Sequence, residues 1–242
     1  MTVSIITGGS RGIGLAAANR LAAEGHDVVV AYAESKSAAD DAVAKIVAGG
    51  GRALAVRADV ADEHDVAALF DTAERAYGGV DVVVHAAGAM RPSTIADLDL
   101  DALDLVLRTN LRGAFVVGRE AARRVRPGGA IINFSSSTTR FRREGNAVYT
   151  ATRAGVEVLT SILAKEMRGR DVTVNAVAPG ATATDMLDAF TGGDDAALAA
   201  IAAGSPMNRL GTPDDIVEVV AFLAGPGRWV NGQTIFANGG AI

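Results

Sequence analysis

The sequence predicts a doubly wound α/β sheet, and three observations carry that prediction. Short β-branched runs alternate with longer Ala-rich stretches along the 242 residues. Interior runs such as Val80-Asp-Val-Val-Val84 are apolar on both faces, as strands covered by helices on both sides must be. A Gly-rich turn follows the first run directly. Strand followed by helix in repetition implies right-handed crossovers, and therefore a parallel sheet. Seven strands are expected, at 3–7, 28–32, 53–57, 80–85, 130–135, 172–176 and 234–236, with helices near 12–24, 36–48, 62–77, 99–125, 147–169 and 213–224.

Taken in order, the first strand runs into Thr7-Gly8-Gly9-Ser10-Arg11-Gly12-Ile13-Gly14 and then a helix. Gly8, Gly12 and Gly14 let the backbone pass close to a pyrophosphate, whose charge the amides at a helix start favour. The second strand ends Val30-Ala-Tyr32-Ala33 without the acid that would bind two free ribose hydroxyls. After the third strand comes Asp59-Val60, where Asp59 reads either as a ligand contact or, with Asp62, as a helix N-cap signal. His85 closes the fourth strand and reads as a structural histidine. The fifth strand leads to Ser136, and the helix after it carries Tyr149 and Arg153. Four residues apart on a helix, that phenol and guanidinium share one face, an arrangement suited to proton transfer. Between 181 and 208, Thr191-Gly-Gly-Asp-Asp195 breaks a helical pattern near a strand end, which predicts a substrate lid.

Composition narrows the function classes. The length allows a single domain, 1–242, and no linker or repeat divides it. No run of eighteen uncharged apolar residues offers a membrane span. The chain enters a strand pattern at once, leaving no room for an export signal, so a cytoplasmic location is expected. Zero cysteines and three scattered histidines exclude zinc-thiolate and thiol chemistry and predict no metal site. A net charge of −5 predicts no nucleic-acid partner. One basic cluster, Arg140, Arg142 and Arg143, falls between Ser136 and Tyr149, beside the expected mouth of the site, where it suits an acidic or phosphorylated substrate.

Thr-Gly-x-x-x-Gly-x-Gly near the N-terminus and Tyr149-x-x-x-Arg153 near the middle resemble the short-chain dehydrogenase/reductase family, with Arg153 in place of the family's Lys. The resemblance covers essentially the whole chain and is nearest to the 3-oxoacyl-carrier-protein-reductase-like branch. It implies a single Rossmann-type domain in which Asn110, Ser136, Tyr149 and Arg153 are catalytic: Asn110 holding a water in a proton relay, Ser136 lying 13 residues before Tyr149. It also implies dinucleotide contacts from Gly8, Ser10, Arg11, Gly12, Ile13, Gly14, Tyr32, Lys36, Asp59, Val60, Ala87, Gly88, Tyr149, Arg153, Pro179, Gly180, Thr182 and Thr184. His85-Ala-Ala-Gly88 is similar to the family's Asn-Asn-Ala-Gly turn.

Hydride transfer to a carbonyl builds negative charge on oxygen, which needs a proton donor and a fixed hydrogen bond. Tyr149 is the expected donor, Ser136 the hydrogen bond, and Arg153 the cation that favours an ionised phenol. Guanidinium, unlike the ammonium of Lys, is planar and effectively never deprotonated, so charge is kept while proton shuttling is not. Thr150 and Thr152 offer polar groups to a network adapted to it. Arg11 inside the Gly-rich turn and Lys36 just beyond the second strand favour NADP(H) over NAD(H), with Glu34 as the opposing charge. The expectation is an NADP(H)-dependent oxidoreductase of a small carbonyl/alcohol substrate, assembled as a homotetramer or homodimer through the helices near 99–125 and 147–169. The alternative is a dinucleotide-binding sensor or scaffold of the same fold without turnover.

Overall fold

The computed structural model describes all residues, Met1–Ile242. Its seven strands are β1 (Val3–Thr7), β2 (Asp27–Tyr32), β3 (Arg52–Arg57), β4 (Val80–His85), β5 (Val125–Phe134), β6 (Thr173–Pro179) and β7 (Thr234–Ala237). All pairings are parallel, in the order β3-β2-β1-β4-β5-β6-β7. The chain steps outward from β1 to β3 and then returns to lay β4 on the other side of β1. The strand ends beside that reversal open a crevice, the place where such sheets bind ligands. At this edge Thr7 is level with Ala31 and His85, and His85 with Asn133.

Adjacent strand residues point to opposite faces, so Ile5, Val29 and Val83 join one core while Ile6, Val30 and Val84 join the other. On the first face lie α3 (Glu63–Tyr77), α5 (Gly113–Arg124) and α7 (Ala147–Glu166). On the second lie α1 (Gly12–Ala23), α2 (Lys36–Ala48) and α10 (Pro213–Ala224). The two clusters, of 20 and 19 buried residues, are balanced, which explains why the interior strands carry no polar alternation. Asp62 accepts from the His64 and Asp65 amides and starts α3, while Thr212 and Asp215 form a reciprocal cap on α10 behind Pro213. No helix is long and apolar enough to cross a membrane.

Several elements differ from expectation. β5 begins at Val125 because Val80 pairs with Val125 before a register shift; Gly129 lies within it, where any Cβ would clash with the Asp81 carbonyl oxygen. The long helix expected over 99–125 is divided into α4 (Leu100–Val106), a π-wound stretch Leu107–Arg112, and α5. The region 181–208 folds as α8 (Asp185–Thr191) and α9 (Asp195–Ala203), separated by Gly192 and Gly193 at φ 65° and 73°. A short helix, α6 (Thr138–Phe141), follows Ser136.

Candidate active site

The glycine-rich turn is held by close backbone approach. Gly8 has φ 66°, and a Cβ there would lie 2.9 Å from the Ala87 backbone; a Cβ on Gly14 would lie 2.2 Å from the Gly8 oxygen. The β1 and β4 turns therefore touch, and Thr7 links them: its Oγ1 accepts the Ala87 amide at 3.2 Å and lies 2.9 Å from His85 Nδ1. Full burial pushes His85 down to about 3, so the ring is neutral; it is not the satisfied structural histidine expected, because Nε2 is buried without a partner. At the start of α1, Arg11 occupies the N-cap position without a side-chain cap, and the first turn has no acid. Its amides are left for an anion, which is what a pyrophosphate cradle requires.

A cleft of about 1590 Å³ runs from this turn across the strand ends to α8 and α9. That exceeds the roughly 300–1,000 Å³ of an ordinary ligand pocket and leaves room for a dinucleotide and a substrate together. Gly8, Ser10, Arg11, Gly12, Ile13, Gly14, Tyr32, Val60, Ala87, Gly88, Pro179, Gly180, Thr182 and Thr184 line it. Asp59 lines it too, with its carboxylate tied to the Ala61 amide at 2.9 Å and to Arg108 at 2.5 Å; the α3 cap is Asp62. Lys36 does not line the cleft: it is exposed and paired with Asp40 at 2.6 Å, a helical i,i+4 pair. Ser35, at the N-cap of α2 without a cap bond, lines the wall instead, together with Glu34.

At the other end Tyr149, Arg153 and Ser136 are all nearly buried and all face the cleft. Ser136 Oγ accepts the Thr138 amide at 3.2 Å, leaving its own proton for an external acceptor. Arg153 is 3% exposed and has no carboxylate partner. Its guanidinium stacks 5.0 Å from the Tyr149 ring centroid, and Nη1 donates to the Phe134 carbonyl at 2.9 Å. Nη2 lies over Gly88, where a Cβ would be only 2.1 Å away, and Nε has no partner. The cation is thus seated by Gly88 and Phe134, not by the threonines. Thr152 Oγ1 donates to the Tyr149 carbonyl, while Thr150 Oγ1 is buried without a partner. Asn110 is fully buried and does not line the cleft; its side chain accepts from the Ala89 amide at 2.7 Å and donates to Ala89 O and Thr152 Oγ1. It braces the β4 turn against α7, and the π-wound stretch presents it.

The loop after β4, the loop before α7 and the segment 181–208 all contribute to the lining of the cleft. Ser93 pairs with Asn146, joining the loop after β4 to the one before α7, and Arg143 stacks 5.3 Å from Phe190 on α8. Arg140 instead stacks on Phe236, and Arg142 stands outside the lining. The sequence reading did not single out Asn146, which lines the cleft, or Glu157, which accepts from the Ser135 and Thr139 hydroxyls at 2.7 and 2.8 Å. The signal for Glu157 is its spacing, two helical steps of four beyond Tyr149.

A family model described as enoyl-(acyl carrier protein) reductase matches residues 8–241. A short-chain type dehydrogenase/reductase from Picea abies is 43% identical over 99% of this chain and 92% of its own. An NADPH-dependent aldehyde reductase-like protein from Arabidopsis thaliana is 42% identical, covering 99% and 94%. Among solved structures, a short-chain dehydrogenase from Burkholderia cenocepacia in complex with NADP superposes with TM-score 0.93 at 40% identity, covering 99% and 97%. The chain belongs to the short-chain dehydrogenase/reductase family of oxidoreductases.

Proposed function

We propose that this chain is an NADP(H)-dependent reductase of a small carbonyl compound, or the matching alcohol dehydrogenase. The observation that carries the reading is that Tyr149 and Ser136 share one cleft with an uncapped, glycine-built helix start, with Arg153 stacked on the phenol ring. When bound, the nicotinamide supplies the hydride. Tyr149 then gives its proton to the carbonyl oxygen, Ser136 Oγ–H donates to that same oxygen as charge develops, and Arg153 favours the phenolate left behind. Preference for the 2′-phosphate is supported by Arg11, which lines the cleft without a carboxylate partner, and by the NADPH and NADP named for two relatives. The substrate side joins apolar Phe141, Met186 and Phe190 to Arg143, a lining suited to an aldehyde, a ketone or a 3-oxoacyl group with an acidic end. Assembly as a homotetramer or homodimer is supported by exposed Phe115, Val158 and Ile162 on α5 and α7.

A second reading, a dinucleotide-binding sensor without turnover, is favoured by one observation: a buried guanidinium with an unpartnered Nε cannot pass protons as an ammonium can. Titration with NADPH and NADH, followed by carbonyl-dependent NADPH oxidation over aldehydes, ketones and 3-oxoacyl thioesters, separates the two. The first reading expects NADPH to bind at least about tenfold tighter, about 1.4 kcal/mol, and to be oxidised. Tight binding with no oxidation over the panel supports the sensor.

A further inference from the structure

We propose that Glu157 is a positioning residue that sets Ser136 at its working distance from α7. This rests on the role given to Ser136 above. Tyr149, Arg153 and Glu157 follow one another at steps of four on α7, so they form a single stripe along the helix face that meets the Ser136 loop. One oxygen of Glu157, Oε1, takes two hydroxyl bonds from that loop: Ser135 Oγ at 2.7 Å and Thr139 Oγ1 at 2.8 Å. These donors flank Ser136, one residue before it and three after.

Each hydroxyl has one proton and a competing acceptor. Ser135 Oγ lies 3.4 Å from the Arg153 carbonyl, and Thr139 Oγ1 lies 3.0 Å from the Ser136 carbonyl. The shorter contact, to the carboxyl oxygen, wins in both cases. The main chain of the loop is tied to β6 through Ser135 N to Val177 O and Ser137 N to Pro179 O, at 2.8 and 2.9 Å. Those bonds set the loop against the sheet; toward α7, Arg153 Nη1 holds the Phe134 carbonyl at the loop's start, and the Glu157 carboxylate alone holds side chains on both sides of Ser136. Glu157 gains little as an ion pair, since Arg140 reaches its other oxygen only at 3.9 Å while stacking on Phe236. A mostly shielded acid with no close cation is poorly explained by stability alone.

The test compares Glu157→Leu, Glu157→Gln, Ser136→Ala and the Ser136→Ala/Glu157→Leu pair, measuring kcat, KM and NADPH affinity. Glu157→Leu is expected to lower kcat about tenfold while NADPH affinity moves less than about twofold, because the fault lies in a hydrogen bond to the developing oxyanion. Glu157→Gln keeps a carbonyl acceptor and should stay within about threefold of the parent. In the Ser136→Ala background, Glu157→Leu should cost less than about twofold more, since it acts through Ser136. Parent-like kcat in Glu157→Leu overturns the proposal, as does an equal fall in Glu157→Gln or the full loss recurring without Ser136. Should Glu157→Leu fail to fold, the Ser135→Ala/Thr139→Val variant, which removes both donors, is read by the same criteria. If Ser136→Ala itself has parent-like kcat, the proposed function of the site fails first; if Ser136→Ala is slow and Glu157→Leu is not, only this inference fails.

Discussion

Arg153 keeps the charge that the family's Lys supplies, but its contacts are its own. The guanidinium carbon sits over the Tyr149 ring, Nη1 reaches the Phe134 carbonyl, and Nη2 occupies the space a side chain at residue 88 would fill. A lysine ammonium there is shorter, lacks the flat face, and leaves the Phe134 carbonyl and the Gly88 space unmet. Arg153→Lys is therefore expected to lower both NADPH affinity and turnover several-fold; a pH–rate profile in which it runs faster than the parent across about pH 6 to 9 contradicts this. His85 gives a stability prediction. Its folded value is about 3 against 6.5 for the free side chain, so between those pH values the unfolded chain holds the extra proton. Stability should fall as pH drops through that window, by about 2 kcal/mol at pH 5 from this group, and change no further below it. Denaturant midpoints of the parent and His85→Asn should diverge below pH 6.5; parallel curves rule out the buried neutral ring. Tyr149 and Ser136 were legible because their spacing is carried by one helix and one strand end. The seat of Arg153 was not, because it depends on Gly88, which sequence places on a different turn. Lys36 was misread although Asp40, four residues on, signalled its partner.

Among the elements, the strands and most helices could be read from apolar periodicity, since both faces of the sheet are covered. The π-wound stretch could not: its local sequence reads as continuous helix, and its winding accompanies Asn110 binding Ala89, 21 residues away. Thr191-Gly-Gly-Asp-Asp195 breaks a helical pattern in the sequence, and the structure has a helix on each side of that break. Neither α8 nor α9 contains a fully buried residue, so little apolar burial opposes their opening. Hydrogen exchange should accordingly be fastest over Asp185–Thr191 and Asp195–Ala203 and slow when NADPH and a carbonyl analogue are added, because Thr184, Met186 and Phe190 face the cleft. Exchange there as slow as in α7 without ligand contradicts a mobile lid.

For the whole molecule, the doubly wound fold explains why residues from β1, β4, β5 and α7 meet: every one lies at a carboxyl strand end or on the helix packed beside it. The outer face of α5 and α7 is less complete in one chain. Phe115, Val158 and Ile162 are 54%, 58% and 47% exposed, an apolar stripe that a second copy would cover. The parent should sediment as a multiple of 24.6 kDa, and Ile162→Glu should shift it toward the single chain. A parent that runs as a monomer at working concentrations excludes this interface. Sequence offers the stretches 99–125 and 147–169 as the expected contact, and which of their side chains remain outside is set by packing.

In the proposed carbonyl reduction Tyr149 delivers the proton, and Tyr149→Phe removes that proton while keeping the ring. With saturating NADPH and the best carbonyl substrate found, turnover should fall by about a hundredfold or more while NADPH affinity stays within about twofold, because the phenol proton is needed chiefly in the transition state. A Phe variant that keeps most of the parent's turnover contradicts the claim.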